Sequence, residues 1–200
     1  MRTAALERMV GAVACLALSA ACGTNMTEIR SDGGIAAAVR SGLRIRALDC
    51  AGDGITDDGL RALDGSENVE SLWLRGCDNV HGTSFDVLAR MPALGCVSIW
   101  NCPLQSETAF DFLRSTDAVS ELILYRLRLG DEAFADIAAA KRLDILRLGE
   151  IDGLTDQGIG ALASAKGLQT ISIGSCPQVT DEAMDALRAA LPDCRIEFVP

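Results

Sequence analysis

The sequence has few of the side chains on which most catalytic and metal sites are built. Its 200 residues include one histidine, His81, and aromatic residues make up 4% of the chain. A zinc site needs clustered cysteine and histidine ligands at short spacings, and no such motif is present. There is also no glycine-rich phosphate loop and no nucleophile elbow with a histidine to serve it. These absences predict a protein that is not an enzyme and holds no cofactor or metal.

Positive charge is also scarce. The chain carries 18 basic and 28 acidic side chains, for a formal net charge of −10. Nucleic-acid binding needs a basic surface, so DNA and RNA are not expected partners. Apolar residues nevertheless make up 49%, and with so few aromatic rings the core must consist of Leu, Ile, Val and Ala.

A pattern of apolar residues recurs every 24 or 25 positions along the chain. Each repeat of the pattern begins with two apolar residues that are separated by one other residue. These strand-like pairs are Leu48/Cys50, Leu72/Leu74, Val97/Ile99, Leu122/Leu124, Leu146/Leu148, Ile171/Ile173 and Ile196/Phe198. A period between 20 and 29 residues with an LxxLxL core indicates a solenoid. We therefore predict an α/β solenoid over residues 45–200, with six repeats and a terminal strand. About seven parallel strands form its concave sheet, and helices form its convex side.

The second half of each unit has the pattern of a helix start. Thr56, Ser106, Thr155 and Thr180 occupy an N-cap column, which His81 and Gly130 share. Acidic residues follow in the first turn, where the helix dipole favours them. Helix capping therefore explains both the carboxylates and the histidine without acid–base catalysis.

The repeats also resemble a known family. Residues 146–168 and 171–191 are similar to the pattern LxLxxCxxITDxGLxxLA. This is the pattern of the cysteine-containing, ribonuclease-inhibitor-like subclass of leucine-rich repeats, and the resemblance covers residues 45–199. It implies a horseshoe-shaped fold and a scaffold for protein–protein interactions whose partners differ between members.

The N-terminal segment is of a different kind. Arg2 and Arg8 precede an uncharged run over residues 9–21, which is shorter than the roughly 20 residues that cross a bilayer. It has the features of a signal peptide over residues 1–21. The context of Cys22 resembles the lipobox of bacterial lipoproteins, which implies cleavage before Cys22 and its lipidation.

That resemblance implies an exported, envelope-anchored protein. The residue after the modified cysteine is Gly23 and not Asp, which implies that the lipoprotein is sorted to the outer membrane. Whether it faces the periplasm or the cell surface is left open. Cleavage near Ala21 without lipidation is the alternative. Residues 22–31 are predicted to be a polar tether, and residues 32–44 an N-terminal capping helix that covers the end of the solenoid.

Strand alternation predicts which side chains lie on the concave face. Large rings from consecutive repeats fall there, with charged side chains beside them. The predicted concave patch consists of Trp73, Arg75, Trp100, Glu121, Ile123, Tyr125 and Arg147. Trp, Tyr and Arg are enriched at binding hot spots, so we predict a binding surface; the alternative is that the rings only shield the sheet.

Six cysteines follow Cys22: Cys50, Cys77, Cys96, Cys102, Cys176 and Cys194. Five of them occupy structural columns of the repeat, which favours packing roles over disulfides. The disulfide state is open, and Cys77 with Cys102 is the candidate pair. Cys96 is predicted to face outward beside Trp73 and Trp100, so its thiol is the one to test for reactivity.

These observations lead to three hypotheses. The first is a non-enzymatic, membrane-anchored scaffold that binds a protein partner through the concave patch. The second is a structural protein that associates with itself through the terminal strand at residues 195–199, where a sheet edge lies open. The third is a thiol-active protein that uses Cys96.

Overall fold

The computed structural model describes residues 26–200. In this range the chain forms eight strands, β1 to β8, which span Met26–Ile29, Ile45–Ala51, Val69–Arg75, Cys96–Trp100, Glu121–Arg128, Ile145–Asp152, Thr170–Gly174 and Arg195–Val199. They make one open sheet in chain order, and each strand is parallel to the next. The predicted α/β solenoid is confirmed.

Helical segments alternate with the strands. Over residues 26–200 five α-helices, α1 to α5, span Asp32–Arg40, Asp57–Leu60, Asp131–Ala138, Asp156–Leu162 and Asp181–Ala190. Three short 3-10 helices span Arg61–Leu63, Phe85–Arg90 and Asp111–Arg114. Since one strand and one helix recur in each unit, all helices pack on one side of the sheet and leave the other side as a continuous face.

The paired apolar residues predicted from the spacing stand in register across the sheet. Leu72 pairs with Leu48 on one side and with Val97 on the other, and the same alignment continues to Ile196. These side chains are buried with those of the helices in one continuous cluster. Under the sheet the core is therefore a stack of mainly Leu, Ile and Val layers. The prediction of a purely aliphatic core is incomplete, because Phe85, Phe110 and Phe134 are among the largest fully buried side chains.

The first strand lies in the segment that was predicted to be a tether. Met26–Ile29 pairs in parallel with β2, from Met26 opposite Ala47 to Ile29 opposite Cys50. The prediction for residues 22–31 is therefore wrong over these four residues. A strand this short has too few residues for its alternation to register as a pattern. The predicted signal peptide, at residues 1–21, and Cys22 lie outside the described residues.

The helix predicted after this segment is α1. Its N-cap is Ser31, whose hydroxyl accepts a hydrogen bond from the backbone N–H of Gly34. Ile35 is buried against the core, and α1 contacts α2. The helix therefore covers the core beside β2, as a solenoid end requires.

The N-cap column is only partly as predicted. The hydroxyls of three threonines accept hydrogen bonds from backbone N–H groups in the first turn of the helix that follows: Thr56, Thr155 and Thr180. Ser106 does not; its hydroxyl lies 3.1 Å from that of Thr108, and a 3-10 helix begins only at Asp111. The predicted cap at Ser106 is therefore wrong.

The aspartates beside these caps connect neighbouring repeats. The carboxylate of Asp131 accepts hydrogen bonds from the Thr155 backbone N–H at 2.9 Å and from the Thr155 hydroxyl at 2.6 Å. Asp156 binds both groups of Thr180 in the same way, at 2.8 and 2.9 Å. The prediction that these carboxylates only favour the helix dipole is incomplete, because each one also fastens the next repeat.

Asp32 and Asp57 extend this ladder towards the N-terminus. The carboxylate of Asp32 accepts hydrogen bonds from the backbone N–H and the hydroxyl of Thr56. The carboxylate of Asp57 accepts hydrogen bonds from the backbone N–H groups of His81 and Gly82 and from the backbone N–H and hydroxyl of Ser84. The predicted cap at His81 is wrong, because the 3-10 helix that follows it begins at Phe85, with Ser84 at its N-cap position. His81 instead contacts Asp57 through its backbone N–H, and its Nδ1 atom lies 3.7 Å from Oδ2 of Asp57.

The ladder also explains a glycine in the repeat pattern. A Cβ on Gly59 would lie 1.8 Å from Oδ1 of Asp32, and a Cβ on Gly158 would lie 2.5 Å from Oδ1 of Asp131. The carboxylate of one repeat thus occupies the space above the glycine of the next. This close approach requires a residue without a side chain at both positions.

Candidate functional site

The concave face is the face of the sheet opposite the helices. Two columns of side chains run across it in register. One contains Asp49, Trp73, Ser98, Ile123, Arg147, Ser172 and Glu197, and the other contains Ala51, Arg75, Trp100, Tyr125, Gly149, Gly174 and Val199. Both columns match those predicted from strand alternation. The large side chains are concentrated on β3, β4 and β5, so the middle of the sheet is the candidate site.

Aromatic rings form the centre of this site. The ring centroids of Trp100 and Tyr125 lie 5.1 Å apart, with their planes inclined by 45°. Trp73 and Trp100 are half-buried and pack against the small cluster formed by Cys96 and Ile123. The structure therefore brings together the four apolar members of the predicted concave patch.

The four apolar residues of the concave patch are not equally exposed to solvent. Ile123 is 3% exposed and Tyr125 is 8% exposed, whereas Trp73 and Trp100 keep a larger accessible fraction. A partner that docks on this face would therefore contact mainly the two indoles. Ile123 and Tyr125 support those indoles from beneath and beside them.

Cys96 is also deeper than predicted. It lies on the concave face beside Trp73 and Trp100, but only 8% of it is exposed. The reason is packing: Cys96 clusters with Ile123, and the rings of Trp73 and Trp100 pack against these two residues. The prediction of an outward and accessible Cys96 is corrected accordingly.

Charged side chains border the rings in opposite pairs. Arg75 donates two hydrogen bonds to Asp49, one of them 2.8 Å from Nε to Oδ1. Arg147 donates through Nε to Glu121 over 3.1 Å. Asp49 is only 1% exposed, so its hydrogen bonds from Arg75 offset the cost of burying a polar group there.

A third pair lies beside Tyr125. Its hydroxyl donates to Glu150, and Arg126 donates to the same carboxylate over 2.7 Å. The guanidinium of Arg126 also lies 5.7 Å from the centroid of the Tyr125 ring. Partial burial raises the pKa of Glu150, but the hydrogen bonds from Tyr125 and Arg126 and the Arg126 charge outweigh it, so the net pKa lies below the usual value.

The candidate site therefore includes residues that the sequence prediction omitted. Asp49, Arg126 and Glu150 complete the three ion pairs, and the pairs balance in charge although the whole chain is acidic. Opposite charges about one repeat apart in the sequence were a signal for these pairs. In a solenoid, that spacing places two side chains on adjacent strands.

The two indole N–H groups differ in their hydrogen bonding. Trp100 donates to the hydroxyl of Ser98 over 2.7 Å. The Nε1 atom of Trp73 is buried, and no acceptor for it is present among residues 26–200. An unsatisfied buried donor costs about 1–3 kcal/mol, so this N–H offsets part of the stability that the Trp73 ring gains by packing on Cys96 and Ile123.

A column of strained backbone borders the patch where the strands turn. Gly76 has φ of 57°, and Asn101, Arg126, Glu150 and Ser175 have φ between 50° and 53°. This left-handed region costs an ordinary residue roughly 1–2 kcal/mol. The same conformation thus recurs in five successive repeats, at Arg126 and Glu150 within β5 and β6 and directly after the strand in the other three. Four of the five keep a side chain there despite the strain.

The cysteines of the repeat pattern follow directly after this column. Cys77, Cys102 and Cys176 are buried, and Leu127 and Ile151 hold the same position in the other units. The Cys176 thiol accepts a hydrogen bond from the backbone of Ile151, and its pKa is raised mainly by burial. A position that accepts Cys, Leu or Ile serves packing between repeats.

Cys50 belongs to the core side of β2 instead. Burial is the main cause that raises the pKa of its thiol to about 12, and the charges of Asp49 and Asp32 act in the same direction. This thiol remains protonated at neutral pH and is a poor nucleophile.

Comparisons with known proteins add no family to this description. Neither the models of known protein families nor the sequences of curated proteins include a match to the chain. Among residues 26–200, no helix combines the length and apolar character needed to span a membrane.

Proposed function

We propose that the protein is a non-enzymatic scaffold of the leucine-rich repeat type that binds a protein partner through the concave patch. One observation carries this proposal: Trp73 and Trp100 both lie on the concave face, partly exposed and packed on Cys96 and Ile123, with balanced ion pairs beside them. Exposed clusters of Trp and Arg are typical of the centre of protein interfaces.

The geometry of the patch favours a protein over a small substrate. Trp100 and Tyr125 pack against each other, and the space beneath the indoles is filled by Cys96 and Ile123. The patch is therefore a surface with a filled interior. Its carboxylates are also engaged by arginines, whereas a general base needs a carboxylate that can reach a substrate proton.

The large rings are confined to part of the two concave columns. Trp73, Trp100 and Tyr125 lie on β3, β4 and β5, whereas Ser172 and Gly174 occupy the same columns on β7 and are small. A cluster of rings limited to the middle of the sheet supports a local binding surface.

The proposal includes an anchor that rests on the sequence alone. Residues 1–21 would be a signal peptide, and Cys22 would be lipidated and hold the protein in the cell envelope, in the outer membrane. Metabolic labelling with a tagged fatty acid tests this. Incorporation that is lost in Cys22→Ala supports the anchor, and an unlabelled, secreted wild-type protein contradicts it.

The binding role is tested by comparing three forms of the full chain as bait. Wild type, a Trp73→Ala/Trp100→Ala variant and an Arg188→Ala variant on α5 are incubated with envelope proteins of the source cells. Circular dichroism first checks that all three are folded. The proposal predicts proteins that wild type and Arg188→Ala retain and the double variant loses.

A captured protein is then purified and bound to each form, so that direct binding can be measured. Loss of affinity only in the double variant supports the concave patch. Equal affinity for all three forms contradicts it and indicates another surface.

Self-association is the second candidate, and the position of β8 favours it. Arg195–Val199 pairs only with β7 among the described residues, and Val199 is 43% exposed. An open sheet edge can accept a strand from another copy. Sedimentation over a wide concentration range decides the question, since a monomer throughout contradicts self-association. Burial of Cys96 gives no support to the thiol hypothesis.

A further inference from the structure

Two buried thiols meet across neighbouring repeats behind the concave patch. Cys77 and Cys102 each lie two residues after a pair in register, Arg75 opposite Trp100. The backbone N–H of Gly76 donates to the Trp100 carbonyl over 2.8 Å, which ties the two turns together. The Cys77 thiol donates to the Cys50 carbonyl over 3.3 Å, and the Cys102 thiol donates to the Trp100 carbonyl over 3.4 Å. The two thiols also interact with each other, since each shifts the pKa of the other.

The spacing of the repeats suits a covalent link at this point. Adjacent parallel strands lie about 4.8 Å apart, and a disulfide joins residues whose Cα atoms are roughly 4.4–6.8 Å apart. Elsewhere in the described chain the column holds Leu127, Ile151 and Cys176, so no other two of its cysteines are neighbours. The geometry therefore singles out one pair.

The two thiols also differ in acidity. The interaction with Cys102 is the main cause that raises the pKa of Cys77, with burial second. The same interaction lowers the pKa of Cys102. The nucleophilic form is the thiolate, so in the folded repeat Cys102 is the thiol that ionises more readily.

We propose that Cys77 and Cys102 are a modification site, which forms a disulfide between neighbouring repeats when the protein meets a disulfide oxidant. The Cys102 thiolate attacks one sulfur of the oxidant and releases the other as a thiol. The Cys77 thiolate then attacks Cys102 in this mixed disulfide and releases the second thiol. Both electrons pass to the oxidant, which gains the two protons.

The link would fix the turns that follow Arg75 and Trp100. Because both thiols are buried, with Cys77 inaccessible and Cys102 4% exposed, it forms most readily while the chain folds. This inference does not depend on the proposed function.

The test uses the full chain, refolded from the reduced and denatured state with a mixture of oxidised and reduced glutathione. Free thiols are then alkylated and the tryptic peptides mapped. The expected product joins residues 76–90 to residues 91–114. Fragmentation must place the bond on Cys102, because Cys96 lies in the same peptide. Alkylation of both Cys77 and Cys102, or a bond from either of them to another cysteine, overturns the proposal.

Two variants make the test independent of a folding failure. Cys102→Leu places in the column the residue that the neighbouring repeat has at Leu127, and Cys176→Ser removes a column cysteine outside the pair. Reductant should lower the melting temperature of the oxidised wild type and of Cys176→Ser by about 5–10 °C. It should leave Cys102→Leu unchanged, and an equal shift in all three proteins contradicts the proposal.

Discussion

The aspartate ladder makes a quantitative prediction about what holds neighbouring repeats together. In the Asp131→Ala variant, Thr155 loses the acceptor of its backbone N–H at 2.9 Å and of its hydroxyl at 2.6 Å. Hydrogen bonds to a charged group contribute about 1.5–3 kcal/mol each. Since the two bonds share one carboxylate and water replaces part of them, we expect a loss of about 3 kcal/mol in the free energy of unfolding.

Asp181 provides the matched control. It also begins a helix, α5, so its carboxylate has the same favourable position relative to the helix dipole. Within the described residues, however, no following Thr donates to it. Asp181→Ala should therefore cost about 0.3–1 kcal/mol, the value of the dipole interaction alone.

Urea unfolding followed by circular dichroism measures both variants. A double-mutant cycle of Asp131→Ala with Thr155→Val isolates the contribution of the pair. Equal losses for Asp131→Ala and Asp181→Ala would refute the ladder, because the carboxylates would then act on their own helices only.

Three further predictions concern the concave face. Trp73→Ala should expose the Cys96 thiol and raise its alkylation rate by at least about tenfold, whereas an Arg188→Ala control should not; an unchanged rate means that the indole does not cover the thiol. Ser175→Gly should stabilise the protein in urea by about 0.5–1 kcal/mol because glycine relieves the positive φ, while Ser172→Gly in the extended β7 should destabilise it. Because the pKa of Glu150 is lowered in the folded protein, its ionised carboxylate stabilises the fold at pH values above the unfolded pKa of about 4.3, and this stabilisation is lost as the pH falls through the folded pKa. The difference in the free energy of unfolding between wild type and Glu150→Gln should therefore shrink in acid. A difference that does not depend on pH contradicts this.

The sequence predicted the parts of the fold that depend on repetition. A column of apolar residues at constant spacing determines which side chains face the core, and strand alternation then determines the concave columns. For this reason the register of Trp73, Ile123 and Arg147 was predictable without coordinates. Met26–Ile29 was missed because it has neither the apolar pair nor a helix signal before it.

The depth of the concave residues was not predictable in the same way. Strand alternation gives the direction of a side chain but not what its neighbours cover, and exposure of Cys96 depends on where two indole rings lie. The aspartate ladder was missed for a related reason. An acidic residue after an N-cap has the same sequence pattern whether it acts on its own helix or on the next repeat.

The most direct test of the central claim is the equilibrium dissociation constant of the captured partner for wild type and for Trp100→Ala. Trp100 is partly exposed at the centre of the patch, and hot-spot residues cost about 2 kcal/mol or more when truncated to alanine. We therefore predict a loss of affinity of about 30-fold, with Arg188→Ala binding as wild type does. A dissociation constant for Trp100→Ala that equals the wild-type value would contradict binding through the concave patch.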